Sequence, residues 1–154
     1  MKNLNFKIAK ARGEHIKEIN QLIIRSIIEI CVADHKHQYV LIQDWISNKT
    51  PKNIATWVSN NYAYIAISKS HTVVGFIMMS KKGEILLNYI LPGYVKMGIG
   101  KALLNKLIQV AKRSKIKELT VNSTITAKPF YRKNGFIQLI DGKVKKQDLM
   151  LKVI

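Results

Sequence analysis

The residues from Ile90 to Gly100 read ILPGYVKMGIG, and their types and spacing suit the binding of an anion. An apolar strand end runs into Pro92 and Gly93. Glycines then stand at 98 and 100, and Lys101-Ala102-Leu103-Leu104-Asn105-Lys106-Leu107-Ile108 opens an amphipathic helix. Glycine carries no Cβ, so ligand atoms can come close to the backbone. The first N–H groups of a helix lack intrahelical partners, and the helix dipole favours negative charge beside them. A strand-to-helix turn of this kind can cradle phosphate. A G-x-x-x-x-G-K-[ST] loop is excluded, because Ala102 follows Lys101 and the glycine spacing differs. A dinucleotide fingerprint is excluded too, because Leu103 stands where a third glycine is needed.

A second segment, Thr126-Ala127-Lys128-Pro129-Phe130-Tyr131-Arg132-Lys133-Asn134-Gly135-Phe136, sets a tyrosine one turn before a helix-ending Asn-Gly. Together the two segments resemble the GNAT superfamily of acyl-CoA-dependent N-acetyltransferases. Those proteins carry V-x-P-x-[YF]-[QR]-x-x-G-x-G, then a helix and a strand, then A-x-x-x-Y-x-x-x-G-F. Here Ile90, Pro92, Tyr94, Gly98 and Gly100 match the first motif, and Ala127, Tyr131, Gly135 and Phe136 the second. The strong likeness spans Val73 to Phe136. Three positions depart from the family pattern. Val95 replaces a usual Gln or Arg, Leu86 an Asp found in many relatives, and Thr124 a frequent Asn.

The resemblance implies acetyl transfer from acetyl-CoA, bound as a co-substrate with no metal, to a primary amine by direct attack in a ternary complex. Main-chain amides from Val95 through Lys96, Met97, Gly98, Ile99, Gly100 and Lys101 would grip the diphosphate, with Lys96 or Lys101 adding charge. Thr124 would border the same ligand. The strand ending at Leu91 is expected to splay from the strand at Glu118–Asn122 and admit the pantetheine arm. A main-chain N–H of Ile90 or Leu91 would then face the thioester carbonyl. Tyr131 is the candidate acid for the leaving thiolate. With a phenol pKa near 10 and a thiol near 8.5, donation to sulfur is expected to run downhill by about a unit. Glu84 is the candidate base, reached through water, and Asp34, His35 and His37 are the other ionisable groups on the expected acceptor side. The segment from Asp34 to Asn61 should shape the acceptor pocket, with Tyr39 and Trp45 near it. A small amine, an amino acid, an aminoglycoside and a protein N-terminus all stay open as acceptors. The alternative is a non-catalytic module of the same fold that holds coenzyme A or RNA.

The elements needed to position these groups can be read along the chain. Leu4–Ala9 alternates as a strand, and Glu14–Val32 repeats apolar residues at helical spacing. A polar break at Asp34–Tyr39 precedes a short helix at Val40–Ile46. Thr50-Pro51 starts another helix, to about Ser59. Tyr62–Ser68, Thr72–Ser80 and Glu84–Leu91 should form an antiparallel meander. A helix at Gly98–Ser114 is followed by a strand at Glu118–Asn122, a helix at Ile125–Lys133, and strands at Phe136–Leu139 and Asp148–Val153. This order predicts an α/β (α+β) architecture, one mixed, mostly antiparallel sheet flanked by helices, in a single domain over residues 1–154.

Composition supports a real core: 47% of the 154 residues are hydrophobic. The only cysteine, Cys31, lies in an apolar run and reads as a small buried hydrophobe. No His/Cys cluster has metal-ligand spacing. No signal peptide or membrane span is visible, so a cytoplasmic protein is expected, with a homodimer as an option common in the family. The net charge is +17, and no acidic residue lies between Glu84 and Glu118. A second basic group comprises Lys128, Arg132, Lys133, Lys143, Lys145 and Lys146. Such a field attracts polyanions: coenzyme A, or a nucleic acid. The nucleic acid is not favoured, because the basic tracts lack interleaved aromatic residues.

Overall fold

The structure is a computed structural model that describes residues 5–139 and 148–154. The chain order is β1 (Phe6–Lys10), a 3-10 turn (Gly13–His15), α1 (Ile16–Ile30), α2 (Val32–His35), α3 (Tyr39–Ile46) and α4 (Pro51–Asn60). There follow β2 (Tyr62–Ser68), β3 (Val73–Met79), β4 (Glu84–Ile90), α5 (Ile99–Arg113), β5 (Glu118–Asn122), α6 (Lys128–Lys133), β6 (Ile137–Gln138) and β7 (Leu149–Val153). The seven strands make one sheet in the order β1-β2-β3-β4-β5-β7-β6. All neighbours are antiparallel except β4 and β5, which run parallel. The expected mixed, mostly antiparallel sheet is therefore observed.

Apolar spacing explains the layers. Ile16, Ile19, Leu22, Ile23 and Ile27 of α1 form one buried stripe, which packs with Ile54 of α4 and with Ala63, Ile65, Phe76 and Met78 of the sheet. On the other face Ile99, Leu103, Leu104, Leu107 and Ala111 of α5 meet Ala66, Val74, Ile77, Met79 and Ile85. Every residue of β3 is buried, as a central strand covered on both faces requires. Gly75 lets α5 lie close: a Cβ there would stand 2.7 Å from Ile99 Cγ2. Thr50 caps α4 by accepting from the Asn53 amide at 3.2 Å, with Pro51 at the first helical position.

Two boundaries differ from expectation. The residues expected as a polar break begin instead with a further helical turn, α2, which ends at Lys36 in the left-handed region. The last helix begins at Lys128 instead of Ile125, because Ile125 and Thr126 form a turn held from outside. Lys143, Lys145 and Lys146 of the second basic group lie outside the described residues.

Candidate active site

Strands β4 and β5 are paired at only two positions, Glu84 with Thr120 and Ile85 with Val121. Beyond Ile85 they part. A cavity of about 720 Å³ fills the gap and passes through the sheet. On the α5 and α6 side it is lined by Lys96, Gly98, Gly100, Lys101, Phe130 and Tyr131; on the α1 side by Ser26, Ile30, Cys31, Leu87 and Tyr89.

The loop at the start of α5 presents free donors. None of the amides from Val95 to Lys101 has a hydrogen-bond partner among the described residues; the first intrahelical bond is Ala102 N–H to Gly98 O, 3.1 Å. Gly98 has φ +83°, a conformation that favours glycine, and a Cβ on it would meet nothing within 4 Å. Its bare backbone faces the cavity. Gly100 serves differently from the expectation of close ligand approach alone. A Cβ there would stand 3.2 Å from Phe130, so this glycine also seats α6 against α5. Val95, Lys96 and Lys101 line the cavity. Met97 is exposed and Ile99 is buried beneath Gly75; neither lines it.

The parting of the strands leaves backbone donors aimed inward, and the register decides which. Leu91 N–H bonds to Val74 O at 2.9 Å. Successive residues of a strand point their N–H groups to opposite sides, so that of Ile90 faces the gap, as does that of Asn88. Of the two expected oxyanion donors, Leu91 is thus already engaged with β3, and Ile90 remains. Ile90 lines the cavity and Leu91 does not.

Tyr131 is 2% exposed and sits edge-on between Phe130 and Phe136, ring centroids 5.2 Å from each. Its hydroxyl accepts from Asn88 Nδ2 at 3.0 Å. Because Asn88 is the donor, the phenolic hydrogen stays free to donate into the cavity. Burial pushes the phenol up to about 12, against a smaller lowering by the Asn88 hydrogen bond. The expectation of downhill proton donation is wrong in sign: from a phenol of pKa about 10 to a thiolate of pKa about 8.5 the transfer already runs uphill by about 1.5 units, and burial widens the gap. A proton passes downhill only to the stronger base, and a thiolate of pKa about 8.5 is a weaker base than the tyrosinate by about 3.5 units here. Tyr131 can hydrogen-bond a developing thiolate; it is not poised to surrender its proton.

The expected base candidates fall in other places. Glu84 is exposed at the closed end of the strand pair and does not line the cavity. Asp34 is spent on structure. Its Oδ1 accepts from Ile125 N–H at 2.7 Å, and its Oδ2 from Thr126 N–H at 3.1 Å and Thr126 Oγ1 at 2.5 Å. Thr124, which lines the cavity, completes this turn by accepting from Ala127 N–H at 3.1 Å. His35 is buried; its Nε2 donates to the carbonyls of Ile27 and Ile28, and its Nδ1 accepts from His37 N–H at 3.0 Å. His37 itself is exposed.

Neither expected acceptor-side aromatic lines the cavity. Tyr39 is 73% exposed. Trp45 stands behind the wall, donating from Nε1 to Tyr89 Oη at 3.2 Å and meeting the His35 ring edge-on. Leu86, a departure from the family pattern, lines the cavity. Sequence reasoning missed Asn88 and Tyr89. Asn88 did leave a signal, since a lone amide in an apolar strand must find a partner when partly buried.

The sequence profile described as "Acetyltransferase (GNAT) domain" matches residues 31–151. The chain belongs to the GNAT acetyltransferase family. As a family member it is an acyltransferase, and the resemblance read from the Gly98 and Tyr131 motifs is met. Solved GNAT structures share the fold. A GCN5-related N-acetyltransferase from Rhodopseudomonas palustris has 19% identity and a TM-score of 0.84, covering 96% of this chain and 95% of that one. The PaiA N-acetyltransferase from Thermoplasma acidophilum, solved in complex with coenzyme A, has 22% identity and a TM-score of 0.80, covering 97% and 99%. A GNAT-family acetyltransferase from Staphylococcus aureus Mu50 has 20% identity and a TM-score of 0.73, covering 96% and 98%. A comparison with curated proteins finds no match. No helix among the described residues is long and apolar enough to cross a membrane.

Proposed function

We propose that this GNAT domain transfers acetyl from acetyl-CoA to a primary amine by direct attack in a ternary complex. The observation that carries the reading is the cavity. It joins a loop of unpartnered amides to Ile90 and Tyr131 and extends to Ser26, Ile30 and Cys31 on the other face of the sheet. A diphosphate suits the amides of residues 95–101, with Lys96 and Lys101 beside them. The pantetheine amides suit the backbone of β4 left unpaired beyond Ile85. Coenzyme A bound to the Thermoplasma acidophilum relative supports the same ligand here.

In the reaction the amine nitrogen forms a bond to the thioester carbonyl carbon and the C–S bond breaks. The nitrogen gives up a proton and the sulfur gains one, so a neutral amine yields the amide and a free thiol with nothing left over. Ile90 N–H faces the site of the developing oxyanion, an interaction worth about 3–4 kcal/mol when aimed in advance. Tyr131 donates a hydrogen bond to the sulfur as charge gathers on it. Acetyl-CoA at 100 times its dissociation constant should add about 2.7 kcal/mol of stability. For a domain of this size that is roughly 5–10 °C in Tm. Thiol release with an amine panel then distinguishes an enzyme from a module that only binds. A melting temperature unmoved by acetyl-CoA would defeat the reading.

A further inference from the structure

Among the described residues, the acceptor half of the cavity is lined by neutral groups. Ser26 and Ile30 of α1 and Cys31 at its C-terminal cap face Leu87 and Tyr89 of β4 there. Burial pushes the Cys31 thiol up to about 12 and raises the Tyr89 phenol as well, so both hold their protons at neutral pH. The described titratable groups on the surrounding elements are already engaged or face elsewhere. Asp34 of α2 accepts three hydrogen bonds from Ile125 and Thr126. His35 has both ring nitrogens committed to backbone. Glu29 of α1 is exposed and pairs with Arg25, and Glu84 lies at the closed end of β4. The charged side chains that do line the cavity among the described residues are cations: Lys96, Lys101 and Lys133.

Such a pocket has consequences for the incoming amine. An ammonium ion would have to shed a proton before attack, and this surplus proton is the one a base must take. A neutral amine brings no surplus, since the proton it loses is the one the sulfur gains. Among the described residues no carboxylate lines this wall to offset an ammonium ion's desolvation; Asp34, whose charge is felt at Cys31 and Tyr89, keeps its oxygens on Ile125 and Thr126. We infer that the acceptor is a weakly basic primary amine of the α-amino kind, in preference to the ammonium of a lysine side chain or a polyamine. This rests on the acetyltransferase reading and names the substrate class of that site.

The magnitude follows from reference basicities. At about pH 7.5 an α-amino group of pKa about 7.8 is neutral some 200-fold more often than a lysine amine of pKa about 10.4. At about pH 9.5 the advantage shrinks to roughly 10-fold. A short peptide with a free N-terminus and one lysine places both amines in one molecule. The purified protein, acetyl-CoA and this peptide are incubated across that pH range, with spermidine in a parallel reaction, and mass spectrometry locates the acetyl group. The expected result is acetylation at the N-terminus, by about two orders of magnitude at neutral pH, with the preference falling more than 10-fold toward pH 9.5. Lysine acetylation in excess at neutral pH, a preference that does not move with pH, or spermidine acetylated while the peptide is untouched would each overturn the inference. In those outcomes acetyl-CoA still raises Tm. If it does not, the acetyltransferase reading has failed instead.

Discussion

Tyr131 joins two properties that pull its chemistry in one direction. Burial keeps the phenol protonated, and Asn88 occupies its oxygen as a donor, so its hydrogen is left for the cavity. A phenol of pKa about 12 keeps its proton at neutral pH, so it can donate a hydrogen bond but does not readily yield the proton. Tyr131→Phe removes that hydrogen bond while keeping the ring between Phe130 and Phe136. The expected loss is about 10²-fold in kcat, the usual scale for one transition-state donor. The dissociation constant for acetyl-CoA should barely change, as titration calorimetry can check. Equal loss in both would make Tyr131 a packing residue. The sequence pointed to this residue because the A-x-x-x-Y-x-x-x-G-F pattern is local. It could not assign Leu91 N–H to Val74, because that bond depends on how two separate strands register.

At the scale of elements, the site is held by contacts between segments far apart in the chain. Asp34 ties α2 to the turn that opens α6, and α6 carries Tyr131. Asp34→Ala should release three hydrogen bonds and lower kcat by disturbing Tyr131 and Thr124. Asp34→Asn, which keeps one acceptor oxygen, should restore part of the activity. A fully active Asp34→Ala variant would contradict this role. Gly98→Ala tests the other wall. The left-handed backbone there costs a residue with Cβ about 1–2 kcal/mol, and the methyl group would intrude on the amide cradle. Weaker acetyl-CoA binding is expected, with only a modest drop in Tm. Gly75→Ala should behave in the opposite way, with a loss of about 1–3 kcal/mol of stability from the clash with Ile99 and Leu103. The meander β2-β3-β4 and the helices α1, α4 and α5 were legible in the sequence, because apolar period and caps are local. The insertion of β7 between β5 and β6, and the parting of β4 from β5, were not written in any local pattern. Only the resemblance implied the parting.

For the whole molecule, burial of neutral acids sets an alkaline limit. Tyr131 and Cys31 both have raised pKa values in the folded state, about 12 against 10.0 and 9.0. The folded form therefore resists ionisation that the unfolded chain allows. Their contribution is full below the unfolded values and is lost as pH rises from about 9 toward 12. For Tyr131 the loss amounts to about 2–3 kcal/mol, on the scale of 1.36 kcal/mol per unit. Thermal melts should show Tm falling above about pH 9. Cys31→Ala should delay the onset toward pH 10, where the buried phenols of Tyr131 and Tyr89 become limiting. The net charge of +17 acts in another way. It concentrates anions near the surface, and its effect on the binding of a phosphorylated ligand should weaken with added salt.

The central claim is that one cavity, running from the amides before α5 to the gap between β4 and β5, holds the acetyl thioester. The most direct test is an amide chemical-shift map of the ¹⁵N-labelled protein titrated with acetyl-CoA. The amides of Val95 to Lys101 and of Ile90 should shift strongly, and Leu91, already bonded to Val74, should shift far less. Saturating acetyl-CoA that leaves Ile90 and the Gly98 loop unmoved, with its shifts elsewhere on the protein, would contradict the account.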